Sequence, residues 1–372
     1  MRKINSMIIF IILLVVGILL TYFVIVSFTP SFGADLSTKQ KNLFKKYENF
    51  AQGKFNNRKA VPEKITFSRF IELGYKYLTT KVVNGTPNKP PEVMAIDSFA
   101  LVNNDRTQLF WLGHSTFLLQ HLGKTILFDP MFGEVPAPFD FLGNKRFNLK
   151  LPIKAEDLPK IDYVIFSHDH YDHLDYKSIL QIKGKVERFL VPLGVGNHLE
   201  KWGVKKDKIT ELNWWENIRY DNVNFICTPA QHFSGRKFSN SQETLWASWV
   251  VQFNEASIFF SGDSGYDTHF KSIGDKYGPF NLSLLECGQY NDLWPDIHMF
   301  PEETVQAGID LRSEKIIPIH WGAFKLAMHP WNDPVKRVLI EGKKRGINIE
   351  IPKIGERIVL DTLNLFEERW WE

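Results

Sequence analysis

One short stretch, Tyr163-Val164-Ile165-Phe166-Ser167-His168-Asp169-His170-Tyr171-Asp172-His173-Leu174-Asp175, constrains this chain more than any other part of it. Its apolar start suits a buried strand ending at Ser167, and His168, Asp169, His170, Asp172 and His173 follow at once. In a plain core that cluster is an electrostatic liability, because each buried imidazole or carboxylate needs a partner. A solvated histidine-rich loop is the bland alternative, and the spacing favours a metal site over it. His168 and His170 lie two apart, so in extended backbone both side chains project from one face and can ligate one metal. Asp172 and His173 fall at the turn into the next helix, where the chain rotates and can aim them at a second. One segment thus primes two metal sites.

A two-metal site needs further ligands from distant loops, and other apolar strands end on suitable residues. Val223–Thr228 runs into Pro229-Ala230-Gln231-His232, Ser257–Ser261 into Gly262-Asp263, and Lys315–Ile319 into His320-Trp321-Gly322. Two of these ends carry a neighbouring glycine that permits a tight turn. A lone histidine at a strand end is more often a hydrogen-bonded core residue, but such positions beside the first cluster reverse that judgement. His114, which follows a strand and precedes Ser115-Thr116, is either a donor that orients a ligand or a histidine closing a turn. Asp129 ends an apolar strand before Pro130 and is read as an acceptor for a ligand histidine rather than a turn cap. The two cysteines, Cys227 and Cys287, are too few for a disulfide scaffold or a thiolate cage, which leaves histidine and carboxylate as ligands. Ser167 lacks a Gly-x-Ser-x-Gly elbow, so it is dismissed as a nucleophile. The balance of 45 Lys+Arg against 42 Asp+Glu, a formal net charge of +3, argues against nucleic acid as a partner.

At the amino terminus, Ile8 to Phe28 form a nearly unbroken apolar run, and at ~1.5 Å per residue its helix spans ~31 Å, enough to cross a bilayer. The run exceeds the roughly 7–15 residues of a signal-peptide core, so an uncleaved single-pass membrane anchor is expected ahead of the alternative, a removed signal cut at Ser31-Phe32-Gly33. Arg2 and Lys3 before it oppose Lys39, Lys41, Lys45 and Lys46 after it, which leaves its orientation open. Ser37 to Phe50 suits a short amphipathic helix with Ser37 as N-cap, and Thr66 to Thr80 suits another. After the breaker Gly85-Thr86-Pro87-Asn88-Lys89-Pro90-Pro91, strands and helices alternate. Strands are predicted at 108–112, 116–119, 125–128, 163–167, 223–228, 248–253, 257–260, 282–285 and 316–319, with helices near 176–182, 268–273, 302–311 and 334–344. This implies an α/β class with helices covering sheet faces. The expected organisation is a short tail over 1–7, a transmembrane anchor over 8–28, a linker with helices packing on the main domain over 29–97, and a catalytic domain over 98–372.

The pattern His168-x-His170-x-Asp172-His173, then His232, Asp263 and His320, resembles the ligand set of the metallo-β-lactamase-fold hydrolases. The resemblance implies a four-layer αβ/βα sandwich holding two zinc ions. His168, His170 and His232 would hold one, Asp172, His173 and His320 the other, and Asp263 would bridge both. Within that superfamily the chain is similar to the N-acyl-phosphatidylethanolamine-hydrolysing phospholipase D group. The matching stretches include Trp111-Leu112-Gly113-His114-Ser115-Thr116, Asp129-Pro130-Met131-Phe132, Gly143-Asn144-Lys145-Arg146-Phe147, Val191-Pro192-Leu193-Gly194, Trp214-Trp215-Glu216, Gly278-Pro279-Phe280 and Ile319-His320-Trp321-Gly322. This implies phospholipase D-type cleavage of a membrane phospholipid, N-acyl-phosphatidylethanolamine, to N-acylethanolamine and phosphatidate by a hydroxide shared between the zinc ions, with Asp263 and Asp172 as the catalytic carboxylates. It implies substrate contacts at Tyr171 and His298, and with it Tyr266 and Tyr290 become candidates for holding a phosphoryl oxygen or head group. The chain departs from the animal enzymes at Phe233, Ser234 and Gly235, around Glu286-Cys287-Gly288-Gln289-Tyr290, and at Met299-Phe300. Fold and metals therefore carry over more safely than lipid specificity, and the alternative is a lactonase or other ester hydrolase related to the L-ascorbate-6-phosphate lactonases.

Overall fold

The computed structural model describes residues 2–59, 67–102, 107–360, 366 and 369–372. The chain opens with helix α1 (Arg2–Phe28), α2 (Thr38–Phe44), the small hairpin β1 (Phe50–Ala51) and β2 (Lys54–Phe55), then α3 (Phe67–Thr79) and α4 (Ser98–Val102). The first half of the main domain contributes β3 (Gln108–Gly113), β4 (Thr116–His121), β5 (Lys124–Phe128), β6 (Ile161–Ile165), α5 (Tyr176–Ile182), β7 (Val186–Pro192), α6 (Gly196–Lys201) and β8 (Ile209–Leu212). The second half contributes β9 (Asn217–Tyr220), β10 (Val223–Thr228), β11 (Ser248–Gln252), β12 (Ser257–Phe260), α7 (His269–Tyr277), β13 (Leu282–Glu286), α8 (Pro301–Asp310), β14 (Lys315–Ile319), α9 (Asp333–Arg345), β15 (Asn348–Ile349) and β16 (Arg357–Val359).

The strands form two seven-stranded sheets, ordered β16-β3-β4-β5-β6-β7-β8 and β15-β14-β13-β12-β11-β10-β9. In the first, β16, β3, β4 and β5 pair antiparallel, and β5 through β8 run parallel. The second repeats the scheme, antiparallel from β9 to β12 and parallel from β12 to β15. The two sheets face one another through Phe117, Ile126, Phe128 and Ile165 on one side and Phe225, Trp249, Phe260 and Ile317 on the other, with the Phe128 and Phe260 rings 5.2 Å apart. Their outer faces are buried too. Leu118, Leu127 and Val164 pack with Ile179 and Leu199 of α5 and α6, and Val250, Phe259 and Leu285 pack with Phe270 and Ala307 of α7 and α8. Strands buried on both faces lose the alternation of apolar and polar residues, which is why β3 and β4 are buried throughout. The result is the α/β four-layer sandwich expected from the sequence.

Several elements lie outside the sequence reading. β7 carries Glu187 and Arg188 in its first half, and β9 is half exposed, so neither reads as an apolar run. The helix expected over Ser37 to Phe50 stops at Phe44, although Ser37 caps it as expected: its Oγ accepts from the Gln40 amide at 3.2 Å, and its own amide donates to Gln40 Oε1 at 3.0 Å. Beyond Phe44 the chain folds the other way because Phe44, Phe50 and Phe55 form one cluster, with ring centroids 4.8 to 5.7 Å apart. Thr66, the expected start of the next helix, lies outside the described residues. α1 stands apart from all of this. Its Met7–Phe28 portion is long and apolar enough to cross a membrane, and side chains such as Phe10, Leu13, Phe23 and Phe28 are exposed along it.

Candidate metal centre

Strand ends from both sheets meet at one end of the sandwich. β3 delivers His114, β5 Asp129 and β6 the loop from Ser167 to Asp175, while β10, β12, β13 and β14 deliver His232, Asp263, Glu286 and His320. His114, Asp129 and His320 sit in left-handed backbone, with φ of +54°, +37° and +64°. Such conformations cost about 1–3 kcal/mol each and cluster at sites where side chains must be aimed. Gly262, just before Asp263, is required for a plainer reason: a Cβ there would lie 2.4 Å from that of Ser167.

The first ligand-capable group is His168, His170, His232 and Asp263, whose ligand atoms all lie within 4.8 Å of one another. His232 donates its Nδ1 proton to the Ile297 carbonyl at 2.9 Å, so its Nε2 is a bare lone pair, and that lone pair faces His170 Nδ1 at 3.2 Å. His168 places Nδ1 2.9 Å from Ser167 Oγ, and its buried Nε2 has no hydrogen-bond partner. Burial holds the pKa of all three imidazoles below the ordinary histidine value, and for His168 the neighbouring histidines add to the effect.

The second group is His114, Asp172, His173 and His320, likewise within 4.8 Å. Asp172 Oδ2 lies 2.9 Å from His114 Nε2, 3.1 Å from His320 Nε2 and 3.4 Å from His173 Nε2. Here burial is outweighed by charge. It opposes protonation of His173 and His320, yet Asp263 and Asp172, joined by Asp129 at the one and Glu286 at the other, raise His173 well above its ordinary value and His320 to about 10. Burial would likewise raise Asp172 and Asp263, and the surrounding histidines hold both well below the usual carboxylate range. His114 behaves otherwise, pushed down to about 3 by burial and by His320.

Asp263 belongs to both neighbourhoods. Its Oδ1 lies 3.1 Å from His173 Nε2, and its Oδ2 lies 3.2 Å from His320 Nε2, 3.7 Å from His232 Nε2 and 3.9 Å from His168 Nε2. A third grouping joins Asp263 and His320 to His298. The donor set fits divalent ions. Buried His168 Nε2 has no hydrogen-bond partner, and His173 Nε2 and Asp263 Oδ1 lie 3.1 Å apart without an aligned hydrogen bond; such buried, unsatisfied polar atoms are rare in a protein-only core. Imidazole and carboxylate together suit zinc and its neighbours among the transition metals.

Behind the ligand-capable residues stands a carboxylate layer. Asp129, fully buried, accepts from His173 Nδ1 at 2.6 Å, from the Ser167 amide at 2.7 Å and from Ser167 Oγ at 2.5 Å. Glu286 accepts from His298 Nδ1, lies 3.3 Å from His320 Nδ1 and is held by the Ser264 amide. Glu286 was missed as a site residue although it carries the same signal as the others, an ionisable side chain ending an apolar strand. Asp169 stands in the same polar cluster but was given no role, and Arg236 carries no sequence signal. Tyr171 lies in the ligand loop, but its hydroxyl donates to the Arg236 carbonyl at 2.6 Å. Tyr266 and Tyr290 are not brought into the centre: their hydroxyls donate to Asp310, at 2.6 Å, and to Asp333.

Facing sheets with imidazoles and carboxylates gathered at their strand ends define a metal-dependent hydrolase. The β-lactamase superfamily domain matches residues 124–321, and the chain belongs to that superfamily, in its metallo-β-lactamase-fold branch. A protein of Mycobacterium tuberculosis is 41% identical over 283 residues, covering 74% of this chain and 76% of that one. The N-acyl-phosphatidylethanolamine-hydrolyzing phospholipase D 1 of Caenorhabditis elegans is 34% identical over 261 residues, covering 64% of this chain and 73% of that enzyme. Among solved structures, an isothiocyanate hydrolase from Delia radicum gut bacteria shares the fold, with a TM-score of 0.55, 24% identity and coverage of 68% of this chain and 98% of that one.

Proposed function

We propose that this chain is a membrane-anchored, two-zinc phosphodiester hydrolase that cleaves N-acyl-phosphatidylethanolamine in the phospholipase D manner. The observation that carries the reading is Asp263, whose two oxygens each approach a different imidazole of the second group while one of them also faces the first. Ions bound there supply Lewis acidity and activate water near neutral pH. His168, His170 and His232 would hold one ion as neutral imidazoles. Asp172, His173 and His320 would hold the other, with Asp263 between them. His114, neutral in its buried setting, donates to Asp172 and fixes its direction. Asp129 accepts a hydrogen bond from His173 Nδ1–H, so that the proton His173 gives up to an ion comes from Nε2. His298, with Nδ1 donating to Glu286, would donate from Nε2 to a phosphoryl oxygen when the ring carries both protons. Water oxygen adds to phosphorus, the bond from phosphorus to the ethanolamine oxygen breaks, and that oxygen takes up a proton to give N-acylethanolamine and phosphatidate.

The lipid part of the reading rests on the amino-terminal half and on the C. elegans relative. α1 ends at Phe28, and the chain just beyond it packs Phe32 against Phe139, 6.0 Å between ring centroids, beside the exposed Phe141 and Leu142. An apolar helix and an apolar loop thus share one edge, as a protein seated at a bilayer would require. The test is to incubate the full-length protein with vesicles containing N-acyl-phosphatidylethanolamine and identify products by mass spectrometry, with and without chelator. Bis-p-nitrophenyl phosphate and a simple lactone run alongside. Chelator-sensitive phosphatidate is expected; lactone turnover without phosphodiester turnover would replace the reading with a lactonase.

A further inference from the structure

We propose that Arg236 is a positioning residue that clamps the loop carrying the metal ligands to the chain segment directly behind the apolar helix, so that the seating of the helix sets the ligand geometry. The inference rests on the two-metal reading above. α1 ends at Phe28, and the next residues run into the domain as a strap: Trp202 Nε1 donates to the Pro30 carbonyl at 2.8 Å, Ser31 Oγ to the Pro138 carbonyl at 2.9 Å and Lys201 Nζ to the Gly33 carbonyl at 2.6 Å. Arg236, only 3% exposed, reaches from this strap to the metal loop. Its Nε donates to the Ser31 carbonyl at 2.8 Å, and its Nη1 donates to the carbonyls of Asp169 at 2.6 Å and Leu174 at 2.8 Å. Asp169 and Leu174 bracket His170, Tyr171, Asp172 and His173, so one planar group pins both ends of the ligand loop. The guanidinium also lies over the Tyr171 ring, 4.0 Å from its centroid.

A second connection runs in parallel. The Ala34 amide donates to His198 Nδ1 at 2.9 Å, which leaves the His198 proton on Nε2, 3.2 Å from Asp169 Oδ2. Asp169 stands between the ligands His168 and His170. The strap is thus joined to the residue separating two ligands through a side chain whose tautomer the strap itself selects. Arg236 hydrogen-bonds to carbonyl oxygens, and burying a guanidinium on such partners is costly. A rigid fork able to hold three main-chain positions at once is what a clamp needs, and lysine lacks that geometry.

Gly33 gives a lever that touches no ligand. Its φ is +68°, and a Cβ on it would lie 2.1 Å from His198 Nδ1. The test uses full-length protein in detergent, loaded with Co²⁺, comparing wild type, Gly33→Ala, Arg236→Lys and the control Gly17→Ala, whose added methyl meets nothing within 4 Å. Chelator competition reads metal affinity, the cobalt d–d spectrum reads ligand geometry, and bis-p-nitrophenyl phosphate separates kcat from KM. Gly33→Ala and Arg236→Lys are expected to weaken metal binding about tenfold, the scale of losing a supporting partner, to shift the spectrum, and to lower kcat more than KM. Gly17→Ala should match wild type. A folded Gly33→Ala with wild-type spectrum and affinity overturns the proposal. Should Gly33→Ala fail to fold, Trp202→Phe, which removes the bond to Pro30 and trims the ring that lies 5.2 Å from the Arg236 guanidinium, loosens the same strap and takes its place under the same two outcomes. A wild type that binds metal but cleaves no phosphodiester defeats the proposed reaction and leaves the spectral test of Arg236 standing.

Discussion

The two ligand-capable groups of this centre are made of similar residues and are electrostatically unlike. Around His168, His170 and His232 the imidazoles outnumber the carboxylates, and burial keeps all three inclined to neutrality. Around His173 and His320, carboxylates from Asp172, Asp263, Asp129 and Glu286 close in and favour protonation instead. Neutral imidazoles offer lone pairs to a cation at once, whereas the second group must first release protons, since metal binding and proton release are coupled. One centre thus joins a group inclined to neutral imidazoles to a group inclined to protonation in the metal-free fold, with Asp263 common to both.

Removing what they share should have the largest effect. Asp263→Asn is expected to lower kcat on bis-p-nitrophenyl phosphate at saturating zinc by about 100-fold or more, above the 10–100-fold typical of supporting partners, while the protein stays folded. Zinc content should fall at both positions together. Loss at one position alone would show that the carboxylate serves a single group. Next comes Asp129→Asn, which touches the second group directly, through His173 Nδ1 at 2.6 Å, and reaches the first only through Ser167 Oγ, 2.9 Å from His168 Nδ1. It should weaken one zinc by roughly 10–100-fold and leave the other nearly unchanged in a chelator titration. Equal weakening of both would erase the contrast between the groups.

The centre was more legible in the sequence than the scaffold around it. His168 through His173 could be singled out because ligand-capable side chains crowd behind an apolar strand, and His232, Asp263 and His320 because each follows one. Helix α5 was readable over its full length, since Asp175 caps it by accepting from the Ser178 amide at 2.8 Å. β7 and β9 were not, because charged residues interrupt them and their place is decided by neighbouring strands. The strap behind α1 was illegible for a different reason: its bonds to Trp202, His198 and Arg236 join residues more than 160 positions apart, mostly through main-chain atoms that carry no sequence mark.

A smaller effect is expected where the two groups differ in protonation. His320 is raised to about 10 in the metal-free fold, so its contribution to stability is complete below pH 6.5 and is lost as pH rises from there toward 10. His114 is lowered to about 3, so it favours the fold above pH 6.5 and disfavours it as pH falls toward 3. Chelator-treated protein should therefore have its highest melting temperature near pH 6 to 7, by these values and the ordinary histidine pKa of about 6.5. Zinc-loaded protein should lack the alkaline decline, because His320 is then held without a proton. The same alkaline slope with and without zinc would mean that His320 does not meet the metal. His114→Ala removes a single donor to Asp172 and should cost about tenfold in kcat. A loss as large as that of Asp263→Asn would make His114 a ligand.

The smallest expected effect tests the boundary of the centre. Tyr266 and Tyr290 lie in its sequence neighbourhood, and by residue type alone either could hold a phosphoryl oxygen. Their hydroxyls are committed elsewhere, to Asp310 on α8 and to Asp333 on α9, and burial together with those carboxylates pushes both phenols up, so neither ionises at neutral pH. Tyr266→Phe and Tyr290→Phe should each leave kcat and KM for bis-p-nitrophenyl phosphate within about twofold of wild type and cost about 1 kcal/mol of stability, the usual worth of one hydrogen bond. Because the two bonds tie different helices, the losses should add in the double variant. A tenfold rise in KM in either single variant, with the melting temperature unchanged, would mean that the hydroxyl leaves its carboxylate for substrate and that the centre extends past the two groups described.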